Sequence, residues 1–139
     1  MSTSGSISAS LEDYLEAIIV SARRYGAARA RDIAKRLKVT SASVTGALRS
    51  LAEKGLIHYA PYELITLTPE GEKLAQGVLR RHEALKAFFI KALQAEETEA
   101  ESAACAMEHA MPRSLLDRLT RFVQTLDEPP RAGTERTER

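Results

Sequence analysis

The sequence is poor in the residues on which several classes of protein depend. Its 139 residues include no tryptophan, one cysteine and 5% aromatic residues. One cysteine cannot form an intramolecular disulfide, which excludes a disulfide-stapled fold, and a lone thiol in a reducing compartment can ligate a metal. The apolar run from Ala17 to Val20 is far too short to cross a bilayer, and the N-terminus has no secretory pattern. We therefore expect a cytoplasmic protein without a membrane partner.

The small net charge hides an uneven distribution of charged residues. The formal charge of the chain is +1, but the segment from Ser21 to Ala60 contains nine basic residues and two acidic ones. A local excess of positive charge is typical of a protein face that binds nucleic acid. The sequence therefore predicts a double-stranded DNA partner that binds along this segment.

Apolar spacing predicts helices in the first half of the chain. Large apolar side chains recur three and four residues apart from Leu11 onwards, which predicts an amphipathic helix with Ser10 as its N-cap and Gly26 as its end. Two further helices, within 29–39 and over 42–54, are separated by a short polar turn. This arrangement predicts a helix-turn-helix.

The rest of the chain completes a mainly α fold. Two short apolar runs, 56–59 and 64–67, predict a β-hairpin that would be the wing of a winged helix-turn-helix. A long helix opens at Pro69, and two more helices follow, separated at Pro112. The predicted parts are an N-terminal winged-helix domain over 1–72, an α-helical domain over 73–126 and a disordered tail over 127–139.

Three potential metal ligands stand close together in the helical domain. Cys105, Glu108 and His109 are three and four residues apart, so on a helix they would project from one face. Asp13 and Glu16 repeat this spacing on the first helix. Thiolate, imidazole and carboxylate together suit Fe(II), Mn(II), Co(II) or Zn(II) better than calcium or magnesium. The spacing alone does not choose among these four metals.

Six short motifs follow one another between Ser10 and Leu126. They are LEDYLEAI at 11–18, DIA at 32–34, SVT at 43–45, LTPEG at 67–71, RH at 81–82 and CAMEH at 105–109. In this order they resemble the DtxR/MntR family of metal-dependent transcriptional repressors, in the two-domain form without an SH3-like domain. The resemblance implies a winged-helix domain, an α-helical metal-binding and dimerisation domain, a homodimer, and repression of metal-homeostasis genes when metal is abundant.

The resemblance also implies a set of metal ligands. The positions that match the manganese-type set are Asp13, Glu16, His82, Glu108 and His109. That set has a carboxylate where this chain has Cys105; iron-type members have cysteine there, but usually methionine at the position of Asp13. Iron-type members also build a second site; at two of its positions this chain has Lys86, which departs from the family pattern and argues against that site, and Glu101, which remains usable as a ligand. The ligand set is therefore a hybrid, in which the thiolate favours Fe(II), Mn(II) is the alternative, and Co(II) or Zn(II) could bind in vitro.

The DNA contacts are predicted around the second helix of the helix-turn-helix, which enters the major groove in such folds. The candidate contacts to base edges or phosphates at its start are Thr40, Ser41, Ser43, Thr45 and Arg49. The candidate phosphate contacts before it are Arg29, Arg31, Lys35 and Arg36, and Tyr62 is the candidate in the wing. Gly46 stands where a longer side chain would read a base, so DNA shape is expected to contribute to specificity.

Two other classes of function remain open at this point. In a metal-independent winged-helix regulator the same acidic and histidine residues would be structural, with His82 on a wet helix face and Cys105 a small buried apolar residue. In a metalloenzyme the cluster would activate water. The family resemblance favours a regulator, because it gives every candidate ligand a regulatory role and implies no small-molecule substrate.

Overall fold

The computed structural model describes residues 7–60 and 64–127. Within these ranges the elements are α1 (Ala9–Tyr25), α2 (Ala30–Leu37), α3 (Ser41–Glu53), β1 (Ile57–His58), β2 (Thr66–Leu67), α4 (Pro69–Leu93), α5 (Glu97–Glu108) and α6 (Arg113–Asp127). The chain divides into two compact units, residues 1–80 and 81–139, and α4 runs through the division. The predicted mainly α fold with an N-terminal winged helix is confirmed. The predicted domain boundary after residue 72 stays a prediction.

The start of α1 differs from the prediction, because its N-cap is Ser8 and not Ser10. The Ser8 hydroxyl accepts a hydrogen bond from the Leu11 backbone N–H at 3.1 Å, which satisfies one of the exposed donors of the first turn. Ser10 is already the second residue of the helix. Gly26 ends the helix as predicted, with a φ of 84° and its N–H bonded to the Ala22 carbonyl.

The core of the first unit forms where α1, α2 and α3 pack together. The apolar face of α1 is buried from Tyr14 to Ile19, and Ile33 of α2 and Leu48 of α3 have no exposed surface. Burying an aliphatic side chain of this size stabilises a fold by about 1.5–3 kcal/mol. This burial orients α3 so that the side opposite Leu48 faces solvent.

The turn of the helix-turn-helix depends on one residue in a left-handed conformation. Lys38 has φ 59° and ψ 46°, and its backbone N–H bonds to the Ala34 carbonyl to close α2. Thr40 then caps α3, because its hydroxyl accepts a hydrogen bond from the Ser43 N–H at 3.1 Å. A side chain with a Cβ is disfavoured in the conformation of Lys38.

We expect Lys38→Gly to raise the free energy of unfolding by about 0.5–1 kcal/mol, because glycine adopts a positive φ without steric cost. The side chain of Lys38 is exposed, so little packing is lost. The measurement is the midpoint of urea unfolding. Lys38→Ala is the control, since it removes the charge and keeps the Cβ; an equal gain from both changes would contradict the backbone explanation.

The wing is a smaller hairpin than the sequence predicted. Among the residues that the structure describes in this hairpin, Ile57 pairs with Leu67 and His58 with Thr66, so each strand has two residues where four were predicted. The neighbouring Ile65 instead forms a bridge with Ala28, donating its N–H to the Ala28 carbonyl at 2.9 Å. The predicted DNA contact Tyr62 lies outside the described residues.

A tight junction joins the wing to the first turn of α4. Thr68 donates its hydroxyl proton to the Gly55 carbonyl at 2.7 Å and accepts a hydrogen bond from the Gly71 N–H at 3.0 Å. The Thr68 N–H also donates to the Leu56 carbonyl at 3.1 Å. A Cβ on Gly71 would lie 1.8 Å from that carbonyl oxygen, so only glycine fits at this position.

The second unit is helical and has a small core of its own. Leu85 of α4, Ala104 of α5 and Leu116 of α6 are buried together. The sequence predicted that Cys105, Glu108 and His109 lie on one helix. The helix α5 instead ends at Glu108, and His109 is its C-cap. Asp127 ends α6, and the remainder of the predicted disordered tail lies outside the described residues. Among the described helices, none combines the length and the apolar character that crossing a membrane requires.

Candidate metal centre and DNA-binding surface

His82 is the centre of the polar cluster in the second unit. Its side chain is nearly buried, with 3% of the residue exposed, although the sequence left open that it lies on a wet helix face. Its Nδ1 lies 2.7 Å from Glu108 Oε1, and its Nε2 lies 2.9 Å from Glu101 Oε2. Each ring nitrogen of His82 thus has a carboxylate oxygen within hydrogen-bonding distance, and which nitrogen donates depends on the tautomer.

Cys105 lies with His82 and Glu101, whereas the helical spacing predicted that it lies with Glu108 and His109. His82, Glu101 and Cys105 each offer one donor atom, and these atoms lie within 4.8 Å of one another. Glu101 and Cys105 are one turn apart on α5, and the Cys105 sulfur lies 4.0 Å from Glu101 Oε2. Cys105 is exposed, which excludes the reading of a small buried apolar residue.

Glu108 is buried between two histidines. Only 7% of the residue is exposed; its Oε1 contacts His82, and its Oε2 lies 3.3 Å from His109 Nε2. A metal-binding histidine usually donates its other ring N–H to a carboxylate, which fixes the tautomer and the orientation of the ring. Glu108 is placed to do this for His82, with Nε2 directed towards Glu101 and Cys105.

Lys86 and Glu97 extend the cluster, and the sequence interpretation missed Glu97. Lys86 Nζ lies 3.2 Å from Glu97 Oε2 and 3.4 Å from Glu101 Oε1. The Glu97 side chain is 77% exposed, so it lies on the solvated surface and contributes to the cluster only through its contact with Lys86. The signal that could have found it is the four-residue spacing of Glu97, Glu101 and Cys105, which aligns them on one face of α5.

Opposing effects act on the charges of this cluster. Burial works against the ionisation of Glu101, but the hydrogen bond and charge of His82, together with Lys86, lower the pKa of that carboxyl below its ordinary value. The hydrogen bond to Glu97 raises the pKa of Lys86, against a smaller opposing effect of burial. Glu101 is therefore ionised and Lys86 is charged at neutral pH.

The donors of the second unit fit a divalent transition metal. Imidazole, carboxylate and thiolate converge at His82, Glu101 and Cys105, and this mixture matches the softer first-row ions. A calcium or magnesium site would instead be built from oxygen donors. Asp13 and Glu16 lie on α1 in the first unit, on either side of the buried Tyr14 and Leu15. Their role as ligands stays a prediction.

The helix-turn-helix presents most of the predicted DNA contacts to solvent. The exposed ones are Arg29, Arg31, Lys35, Arg36, Thr40, Ser41, Ser43 and Arg49, and Thr45 is half-buried. Lys35 and Arg36 also line a groove of about 320 Å³ with Arg24 and Asp32. The basic side chains of α2 are thus exposed as a group, beside one carboxylate.

Several of the hydroxyl groups at the start of α3 already have partners within the helix. The Thr40 hydroxyl donates to Ser43 Oγ at 3.1 Å while accepting from the Ser43 N–H. The Thr45 hydroxyl donates to the Ser41 carbonyl at 3.1 Å. These groups can still accept hydrogen bonds, but their protons are used in the cap and first turns of α3, which leaves charged side chains as the stronger candidates for DNA contact.

A winged helix with an exposed basic helix-turn-helix, in a chain that also carries a histidine, thiolate and carboxylate cluster, defines the class of metal-responsive DNA-binding regulators. Two family models match the chain. Residues 6–64 match "Iron dependent repressor, N-terminal DNA binding domain", and residues 68–136 match "Iron dependent repressor, metal binding and dimerisation domain". The chain belongs to this family, the DtxR/MntR family of metal-dependent transcriptional repressors, and thus to a family of regulators and not of enzymes.

Similar proteins carry names that agree with this assignment. The chain is 35% identical over 121 residues to the HTH-type transcriptional regulator MntR of Lysinibacillus sphaericus, covering 87% of this chain and 86% of that protein. It is 38% identical over 114 residues to the transcriptional regulator MntR of Escherichia coli O157:H7, covering 82% and 73%.

Two solved structures share the fold with this chain over about half of their own length. A manganese-dependent transcriptional repressor in complex with manganese has a TM-score of 0.72 and 28% identity, covering 82% of this chain and 52% of that one. IdeR of T. acidophilum has a TM-score of 0.71 at 24% identity, covering 81% and 53%, which shows the fold alone.

Proposed function

We propose that the protein is a homodimeric repressor that binds a DNA operator when Fe(II) or Mn(II) is abundant and thereby controls metal-homeostasis genes. The observation that carries this proposal is the convergence of His82, Glu101 and Cys105, in a chain whose other unit is a winged helix. The protein would act in the cytoplasm, where its DNA partner is found.

The side chains of the second unit have distinct proposed roles. His82 Nε2, a Glu101 oxygen and the Cys105 thiolate are the proposed donors, and Glu108 holds the imidazole through Nδ1. The ion supplies positive charge that stabilises the thiolate and the carboxylate together. Because a metal binds only a deprotonated nitrogen, His82 must exchange its hydrogen bond to Glu101 for ligation. Asp13, Glu16, Glu108 and His109 are proposed as further ligands on the family resemblance alone.

The choice between the two metals rests on opposing observations. Cys105 favours Fe(II), because thiolate prefers the later ions and Mn(II) is the weakest binder in the usual order. The names of several relatives and the manganese complex of a similar repressor support Mn(II). Co(II) and Zn(II) are expected to bind in vitro.

A homodimer is proposed from the surface of α6 as well as from the family. Leu115, Phe122 and Leu126 each keep more than 40% of their surface exposed. Apolar groups exposed along one helix mark an interaction surface. Two copies joined in this way would present two α3 helices to successive major grooves of a palindromic operator.

The exposed arginines of α2 are proposed to contact phosphates. We expect Arg31→Ala to weaken DNA binding about equally for all sequences, and to make the dependence of log affinity on log salt shallower by about one. The measurement is fluorescence anisotropy over a salt series. Arg80→Ala, at an exposed position on α4, is the control and should leave the salt dependence unchanged. If Arg31→Ala also left the slope unchanged, Arg31 would not contact a phosphate.

The proposal is tested by anaerobic gel-shift selection on fragments of the source genome, with chelator, with Fe(II) and with Mn(II), at fixed salt. Metal-dependent retention of a common set of fragments is expected, and the metal that acts at the lower free concentration is the physiological candidate. Equal retention under all three conditions would contradict a metal switch.

Equal retention would instead support a metal-independent winged-helix regulator. One observation favours that second candidate: both ring nitrogens of His82 already have carboxylate partners, and every buried polar side-chain atom in the described part of the chain has a hydrogen-bond partner. A structural role for the cluster is therefore self-consistent. The comparison of DNA retention with chelator and with metal decides between the metal-dependent and the metal-independent regulator.

A further inference from the structure

Lys86 holds a fixed position between two carboxylates at the edge of the cluster. Its Nζ is 3.2 Å from Glu97 Oε2 and 3.4 Å from Glu101 Oε1. The side chain lies in a groove of about 350 Å³ lined by Glu97, Thr98, Glu101, Ser102 and Cys105, and three quarters of its surface is covered. The side chain thus packs against α5, and its ammonium lies at the surface beside the two carboxylates.

The groove around Lys86 contains the donors of a cation site. Glu97, Glu101 and Cys105 follow one another at four-residue intervals on α5, so two carboxylates and a thiol line one face. An ammonium has three donors and one positive charge, and it can satisfy two carboxylates in the way that a metal ion does. Lys86 occupies the place that a cation would take in this groove.

Glu101 connects this groove to the proposed metal ligands. One of its oxygens lies 2.9 Å from His82 Nε2 and the other 3.4 Å from Lys86 Nζ. A positive charge this close to Glu101 repels any second positive charge bound by the same carboxylate. Lys86 is thus in a position to influence both the number of ions that bind and the affinity of the first.

We propose that Lys86 is a built-in cation that excludes a second divalent ion from the groove formed by Glu97, Glu101 and Cys105 and weakens the binding of the ion held at His82. This inference rests on the proposed function, since it requires the cluster to bind a metal. It goes beyond that function by naming the residue that sets the stoichiometry. Lys86 acts through Glu101 and is not itself a ligand.

Three substitutions separate the charge of Lys86 from its size. Lys86→Glu removes the cation and adds a carboxylate, Lys86→Gln replaces the cation by a neutral and shorter side chain, and Lys86→Arg keeps the charge as the matched control. The probes are Mn(II) and Co(II), titrated anaerobically into each full-length variant. The number of ions bound is measured by equilibrium dialysis with elemental analysis, and thermal melting in chelator checks that each variant is folded.

We expect Lys86→Glu to bind one ion more per chain than the wild type, and Lys86→Gln to bind the first ion about tenfold more tightly. Lys86→Arg should match the wild type in both quantities. If the wild type binds metal but Lys86→Glu gains no ion and Lys86→Gln keeps the wild-type affinity, the role of Lys86 is overturned and the proposed function stands. If the wild type binds neither metal, the proposed function fails, and the role of Lys86 fails with it.

Discussion

Gly71→Ala is expected to lower the free energy of unfolding by about 2–4 kcal/mol, near the upper end for a change of one methyl group. The added Cβ would lie 1.8 Å from the Leu56 carbonyl oxygen, which already accepts a hydrogen bond from the Thr68 N–H. That oxygen and the Leu56 carbonyl carbon, which would lie 2.7 Å from the Cβ, belong to the backbone, so no side chain can rotate away. The first turn of α4 must move, and the hydrogen bonds of Thr68 to Gly55 and Gly71 are lost or stretched.

The matched control is the same substitution at Gly46 on α3. A Cβ there would meet no atom within 4 Å, and alanine is the better helix former. Gly46→Ala should therefore raise the free energy of unfolding by about 0.5–1 kcal/mol. Urea unfolding of both variants gives the comparison. If Gly71→Ala unfolded at the wild-type midpoint, the close approach of α4 to Leu56 would be wrong.

His82→Gln is expected to weaken metal binding by about 100-fold or more and to leave DNA binding insensitive to metal. Glutamine can donate a hydrogen bond to one carboxylate, but it lacks the two ring nitrogens of imidazole, of which Nδ1 contacts Glu108 and Nε2 faces Glu101. Loss of a partner of a ligand already costs 10–100-fold in typical metal sites, as a rough guide, and loss of the ligand should cost at least as much. Anaerobic competition against a chelator of known affinity measures the change.

His58→Gln is the matched control for this prediction. His58 lies on β1 of the wing and is exposed, so the same change of side chain occurs away from the cluster. Metal affinity in His58→Gln should equal that of the wild type. If the two variants bound metal equally well, His82 would be a structural residue held between carboxylates and the proposed centre would be wrong.

The elements of the fold could largely be predicted because their signals are local. Apolar spacing places the buried faces of α1 and α3, and Pro69 marks the first residue of α4. The errors lie at the ends of elements, where neighbouring residues compete for one role. Ser8 and Ser10 are both good caps, and only the hydrogen bond to the Leu11 N–H distinguishes them.

The candidate centre was less predictable, because spacing along one helix does not reveal which residues of another helix face it. Cys105, Glu108 and His109 share a spacing pattern, but α5 ends at Glu108, and His82 of α4 contacts Glu101 and Glu108. The geometry therefore groups Cys105 with Glu101, which lies one turn before it on α5. Lys86 was recognised in the sequence as a departure from the family, but its contact with Glu97 depends on how α4 and α5 pack.

The most direct test of the metal switch is a pair of affinities measured on one selected DNA fragment at fixed salt. DNA affinity is measured by anisotropy with chelator and with saturating Fe(II) or Mn(II), and metal affinity is measured with and without the DNA. If metal stabilises the DNA-competent state, both affinities must rise by the same factor, on the order of tenfold to a hundredfold. Equal DNA affinity with chelator and with either metal would contradict the account and leave a constitutive winged-helix protein.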